Sequence, residues 1–255
     1  RLARETAAAF ATAGKPRFVA GSMGPTTKAI SVTGGVTFAE LRQHYREQAL
    51  GLLEGGVDLL LVETVQDARN AKAALLGIGE AQRALGAGIP VAISGTIERN
   101  GTTLGGQTIE AFLTSIRHAE PLFVGLNCAT GPDFMTDHLR ALAALAPFPV
   151  CCMPNAGLPD EDGRYPETPA SLAAALRRFV EAGWVNLIGG CCGTTAAHVA
   201  ALAEMAAAAT AAGARPRAPA RLTGRTFVSG LEVLEATDEN RPVLVGERTN
   251  LIGSR

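Results

Sequence analysis

The chain has 255 residues, is 47% hydrophobic, and sets 23 Lys and Arg against 24 Asp and Glu for a formal charge of −1, which suits one large domain with a substantial core. Its scattered basic residues give no footing for nucleic acid, and no apolar run reaches the roughly 18 residues of a membrane helix or forms an opening signal peptide. Five cysteines, an odd number in a chain this large, do not make a disulfide framework, so a cytoplasmic location is expected.

In chain order, residues 2–13 have helical character and lead through Gly14 and Pro16 into a first strand-like run, RFVAGSMG (17–24). Because the sequence opens at Arg1 inside that helix, a missing N-terminus is expected. TFAELRQHYREQALGLLEGG (37–56) places apolar residues at 38, 41, 45, 49, 52 and 53 before a Gly pair, the pattern of an amphipathic helix and its stop. The run DLLLVET (58–64) brings Glu63 to the end of a strand, and PVAISGT (90–96) does the same for Ser94 and Thr96. The spacing of TIEAFLTSIRHAE (108–120) predicts another helix, followed by LFVGLNCA (122–129), which ends in Asn127 and Cys128. Next come FPVCCMPNA (148–156) with Asn155, the helical SLAAALRRFVEAG (171–183), WVNLIGGCCG (184–193) with Cys191 and Cys192, and the helical AAHVAALAEMAAAA (196–209). From about residue 213 the Pro-, Gly- and Arg-rich GARPRAPARLTG reads as a linker. The closing stretch, with the short strand VLVGE, reads as the start of a second domain.

The six runs are nearly continuously hydrophobic and rich in Val, Ile and Leu, which suits strands of a parallel sheet buried on both faces. Strands alternating with helices give an α/β fold. Polar and thiol groups collected at the carboxyl ends of many strands point to a (β/α)8 TIM barrel. Six of the eight βα units are visible, so two N-terminal units are expected to be absent. The expected division is a barrel over 1–212, a linker over 213–241 and the opening of a further domain over 242–255.

Adjacent residues on a strand face opposite ways, so two neighbouring cysteines can share one ion only if the backbone turns between them. Gly189, Gly190 and Gly193 permit that turn, and Thr194 or Thr195 can cap the following helix. With Cys128 they form a three-thiolate set with one coordination position open, the pattern of catalytic zinc. Cys151 and Cys152 lack such a glycine nest and are expected to pack as small core hydrophobes. Glu63, after four apolar residues, either binds a cationic group or serves in a cap or ion pair. Asn155 is either a turn residue or a donor to the open metal position. The histidines at 44, 118, 138 and 198 fall in helical patterns and are not assigned to the metal.

The stretches AGSMGPT, VDLLLVETVQDARNAKAA, ISGTI, TLGGQTIEAF, RHAEPLFVGLNCATGP, PNAGLP and GGCCGTTAAH, spread over residues 1–212, resemble the homocysteine-binding module of the cobalamin-dependent methionine synthases. The tail VGERTNLIGSR is similar to the first strand of the pterin-binding domain that follows this module. The resemblance implies Zn2+ held by Cys128, Cys191 and Cys192, with Asn155 as the fourth ligand before substrate arrives. It implies that Glu63 holds the homocysteine amino group, and Ser94, Thr96 and Asn127 join Glu63 as expected substrate-binding residues. Methylcobalamin and methyltetrahydrofolate would serve cobalamin-binding and pterin-binding domains of the same parent chain, outside these residues. The rival readings are a homocysteine S-methyltransferase independent of cobalamin, using a sulfonium or betaine donor, a noncatalytic zinc-stabilised barrel, and a redox protein built on the adjacent cysteines.

Overall fold

A computed structural model describes residues 1–243; the expected second-domain strand VLVGE begins at its last residue and otherwise lies outside the described residues. Six strands form one parallel sheet in chain order: β1 (Ala20–Met23), β2 (Leu59–Val65), β3 (Val91–Gly95), β4 (Val124–Asn127), β5 (Val150–Met153) and β6 (Leu187–Ile188). Helices α1 (Leu2–Phe10), α2 (Phe38–Glu54), α3 (Ala68–Leu85), α4 (Ile109–Ile116), α5 (Thr136–Leu145), α6 (Pro169–Glu181) and α7 (Ala196–Ala211) alternate with them. This is a partial (β/α)8 barrel. The last strand is much shorter than its apolar run, because the glycines after Ile188 leave the ladder for a turn.

Local chemistry sets the helix starts. Thr37 and Thr168 each close a capping box, with Glu40 and Ser171, and Thr108 accepts from the Ala111 N–H, which satisfies amide donors that have no partner within the helix. Helix α3 starts at Asp67, whose carboxylate accepts from the Arg69 and Ser31 amides at 2.8 and 2.7 Å, and it stops at Gly86 in a left-handed conformation.

The two faces of the sheet bury different residues. Leu60, Val62, Ile93, Val124, Leu126, Val150 and Cys152 join helix residues such as Phe112, Leu139, Leu176 and Phe179 in the large core. On the other face Leu61, Ala92, Phe123 and Cys151 form a small cluster with Leu59 and Met153. Cys151 and Cys152 are fully buried, one on each face, as core packing requires. Burial pushes the Cys151 thiol up to about 12 and the Cys152 thiol beyond the ordinary thiol range. Further along the inner face, toward the carboxyl ends, the apolar cluster gives way to Ser22, Glu63, Ser94 and Asn127.

Residues 213–241, read from sequence as linker, return to the barrel and form a hairpin, β7 (Phe227–Ser229) with β8 (Val233–Glu235). The hairpin lies on α4: the Thr108 N–H donates to the Leu231 carbonyl at 2.9 Å, and Ser115 and Ser229 share a 2.8 Å hydroxyl contact. No helix among the described residues is long and apolar enough to cross a membrane.

Candidate metal centre

Three thiols converge at the carboxyl end of the sheet. The sulfurs of Cys128, Cys191 and Cys192 all lie within 4.8 Å of one another, with Cys128 to Cys192 at 3.8 Å and Cys191 to Cys192 at 4.0 Å. Zinc–sulfur bonds of about 2.3 Å at tetrahedral angles set their sulfurs about 3.8 Å apart. The donor set therefore fits a single tetrahedral ion with three protein ligands. All five cysteines are free thiols.

Each thiol arrives by a departure from regular strand. Cys128 follows β4 with φ of 61°, and Ala129 continues at 51°; two successive non-glycine residues in the left-handed region are uncommon. Cys191 and Cys192 begin a turn in which the Thr194 N–H and hydroxyl both donate to the Cys191 carbonyl, at 3.2 and 2.7 Å. Gly193 has φ of 78°, and a Cβ there would collide with the ring of Tyr165; a Cβ on Gly190 would collide with Thr194. The glycines are thus spatial requirements as well as conformational ones. The Cys191 N–H donates to the Pro154 carbonyl at 2.9 Å, which ties the turn to the end of β5.

Among themselves the thiols stabilise an anion. Hydrogen bonding from Cys191 holds the Cys128 pKa down at about 5 against the opposing effect of burial, with the Ala129 N–H, Cys192 and Asn155 assisting. The same bond pushes Cys191 above the ordinary thiol range. Asn155 is buried, and its Oδ1 accepts from the Cys192 N–H at 3.1 Å, so its amide oxygen orients the turn.

The expected substrate-binding residues gather on the same rim. Ser22 donates to the Glu63 carboxylate in a very short hydrogen bond. Asn127 joins Ser94, Thr64 and Cys191 through side-chain hydrogen bonds. Among the described residues, Thr96 Oγ1 is a buried side-chain polar atom without a partner, and it sits just past the end of β3. Of the histidines, His198 is buried by a structural role: it closes the α7 cap with Thr195 and bonds the Glu167 carbonyl through Nε2. Two residues of the rim, Ser22 and Tyr165, escaped sequence reasoning because they carried no spacing signal. Thr64, which ends the run DLLLVET beside Glu63, gains a further distinction from its φ of 54°.

A family model described as homocysteine S-methyltransferase matches residues 1–206. Among solved structures, the chain is similar to the apo form of the homocysteine methyltransferase MmuM from Escherichia coli, with 25% identity over 79% of this chain and 68% of that one, and a TM-score of 0.62. The metallated form of the same protein matches with 25% identity over 78% and 65% of the two chains and a TM-score of 0.61. The chain spans about two-thirds of the length of these relatives.

Proposed function

The chain belongs to the homocysteine S-methyltransferase family, and from that premise we propose that it binds homocysteine at a zinc ion held by Cys128, Cys191 and Cys192 and readies its sulfur to accept a methyl group. The observation that carries this reading is the tetrahedral spacing of three sulfurs beside a rim of polar groups. Sulfur ligands favour zinc among the common divalent ions of such sites. They must stay reduced, which fits a cytoplasmic location. Bound zinc would supply the Lewis acidity that lets a thiol with a pKa of about 8.5 shed its proton at neutral pH.

The chain's own residues supply the rest. Three thiolates outweigh the charge of a dication, which leaves an incoming sulfur electron-rich. Glu63, oriented by Ser22, pairs with the substrate ammonium, since a half-buried carboxylate at this position needs a cationic or hydrogen-bonding partner. Ser94 and Thr96 offer hydroxyls on the same rim. Asn155 keeps the Cys192 amide in place, and its amide oxygen would be the protein's fourth group for the metal. The methyl donor approaches over the carboxyl ends of the strands, the side on which barrel chemistry is assembled.

We read the donor as methylcobalamin carried by another domain of a methionine synthase, with methyltetrahydrofolate as that domain's methyl source. The support is the tail sequence VGERTNLIGSR. The likeness to a homocysteine methyltransferase from Escherichia coli favours a second reading, a small sulfonium or betaine donor. Methyl transfer to homocysteine from methylcobalamin, and not from S-methylmethionine or betaine, separates the two.

The first test is spectroscopic. Replacing zinc by cobalt should give one metal per chain and a sulfur-to-metal absorption band that shifts with L-homocysteine and not with L-homoserine. No bound metal, or a band indifferent to homocysteine, would overturn the assignment.

A further inference from the structure

We propose that Asn127 is a positioning residue that fixes the Glu63 carboxylate relative to the Cys191 sulfur, and so selects thiols that carry an amino group. The inference rests on the homocysteine reading above and assigns Asn127 an indirect role.

The hydrogen-bonding capacity of Asn127 is filled by the protein. Its Oδ1 accepts from the Thr64 N–H at 2.9 Å and from the Ser94 hydroxyl at 2.7 Å. Its Nδ2 donates to Thr64 Oγ1 at 2.7 Å and to Cys191 Sγ at 3.7 Å. An asparagine amide has two acceptor sites and two donors, and all four are used on a side chain 1% exposed. No valence remains for a ligand.

Two of these bonds hold an unfavourable backbone. Strand β2 carries a bulge: Val62 pairs with Ile93 and Val65 with Gly95, so three steps on β2 oppose two on β3. The extra residue falls at Glu63 and Thr64, and Thr64 takes a φ of 54°, a genuine outlier for a β-branched residue. Bulges re-aim side chains beside functional sites. Here the bulge lies at Glu63 itself, and Asn127 grips both the amide and the hydroxyl of the strained residue. Without that grip Thr64 gains by returning to extended backbone, which would swing its neighbour's carboxylate away. The fourth bond anchors the same amide to a metal-binding sulfur. One side chain therefore sets the distance between the sulfur end and the amino end of the substrate.

The zinc-loaded chain should be titrated by calorimetry with L-homocysteine and with 4-mercaptobutyrate, which lacks the amino group. The wild type should prefer homocysteine. Asn127→Ala should keep one zinc per chain, bind homocysteine at least about tenfold more weakly, and hold 4-mercaptobutyrate within about twofold. Adding Thr64→Gly to Asn127→Ala should recover part of the lost preference, because glycine adopts positive φ without a side-chain penalty. Thr64→Val deletes one arm of the grip while leaving Asn127 in place, and it should show the same selective loss if Asn127→Ala fails to fold. Parallel loss of both ligands, or undiminished homocysteine binding in these variants, would overturn the proposal. A wild type that binds zinc but shows no preference for homocysteine would overturn the Glu63 reading, and the inference with it.

Discussion

At Gly193 the chain has no side chain to spare. The positive φ and the ring of Tyr165 both exclude a Cβ, so Gly193→Ala should disturb the turn that presents Cys191 and Cys192 and reduce metal content below one per chain by elemental analysis. Cys128→Ser and Cys191→Ser should abolish retention under dialysis. Each sulfur must lose its proton to bind an ion, so metal should be released to a chelator increasingly as the pH falls. Thr96→Val is informative in another way. An unpartnered buried hydroxyl costs its desolvation, so the variant should be at least as stable as wild type in urea. A drop in homocysteine affinity in that same variant would mark the hydroxyl as a substrate contact. The three thiols were legible because buried packing does not explain a glycine nest around two adjacent cysteines. The torsion of Thr64 was not, since strain leaves no trace in residue type, and neither was Tyr165, whose contact with Gly193 brings together residues separated by α6 and β6.

Among the elements, α2 and α3 make the tightest helix pair. A Cβ on Gly77 would stand 2.5 Å from the Arg42 carbonyl and 2.8 Å from the Arg46 amide nitrogen. Gly77→Ala should therefore destabilise the chain by about 1–3 kcal/mol in denaturant melts, because two backbones must separate. An ordinary glycine-to-alanine change in a helix would stabilise instead. Strands β1 to β6 were readable from their nearly unbroken apolar runs, and α1, α2, α4, α6 and α7 from helical patterning. Helices α3 and α5 drew no comment in sequence. Scattered Ala and Gly residues in α3 blur its apolar stripe, and its boundaries come from the Asp67 cap and the left-handed Gly86.

For the molecule as a whole, the informative residue is Arg217. It is buried, and its guanidinium donates to the carbonyls of Ala143, Ala146 and Phe148 at 2.6, 2.5 and 3.0 Å. It thereby satisfies the last turn of α5 from a segment more than seventy residues away, where a cation also complements the helix dipole. Arg217→Ala should cost about 2–3 kcal/mol by leaving those acceptors bare. Arg217→Lys should restore only part of this, since an ammonium cannot span three carbonyls in one plane. Proline, glycine and arginine after residue 213 suggested a passive connector. Composition could not reveal that one arginine docks on α5 or that a hairpin covers α4, because both depend on partners remote in sequence.

Strands β1 and β6 each have one neighbour in the sheet among the described residues, so each keeps a rim of amides and carbonyls with no strand beside it. Near β1, Phe10 and Phe18 stand open to solvent. Such a rim can recruit another chain as an added strand. Light scattering should rise steeply with protein concentration, and Phe18→Lys should suppress the rise while leaving metal content untouched.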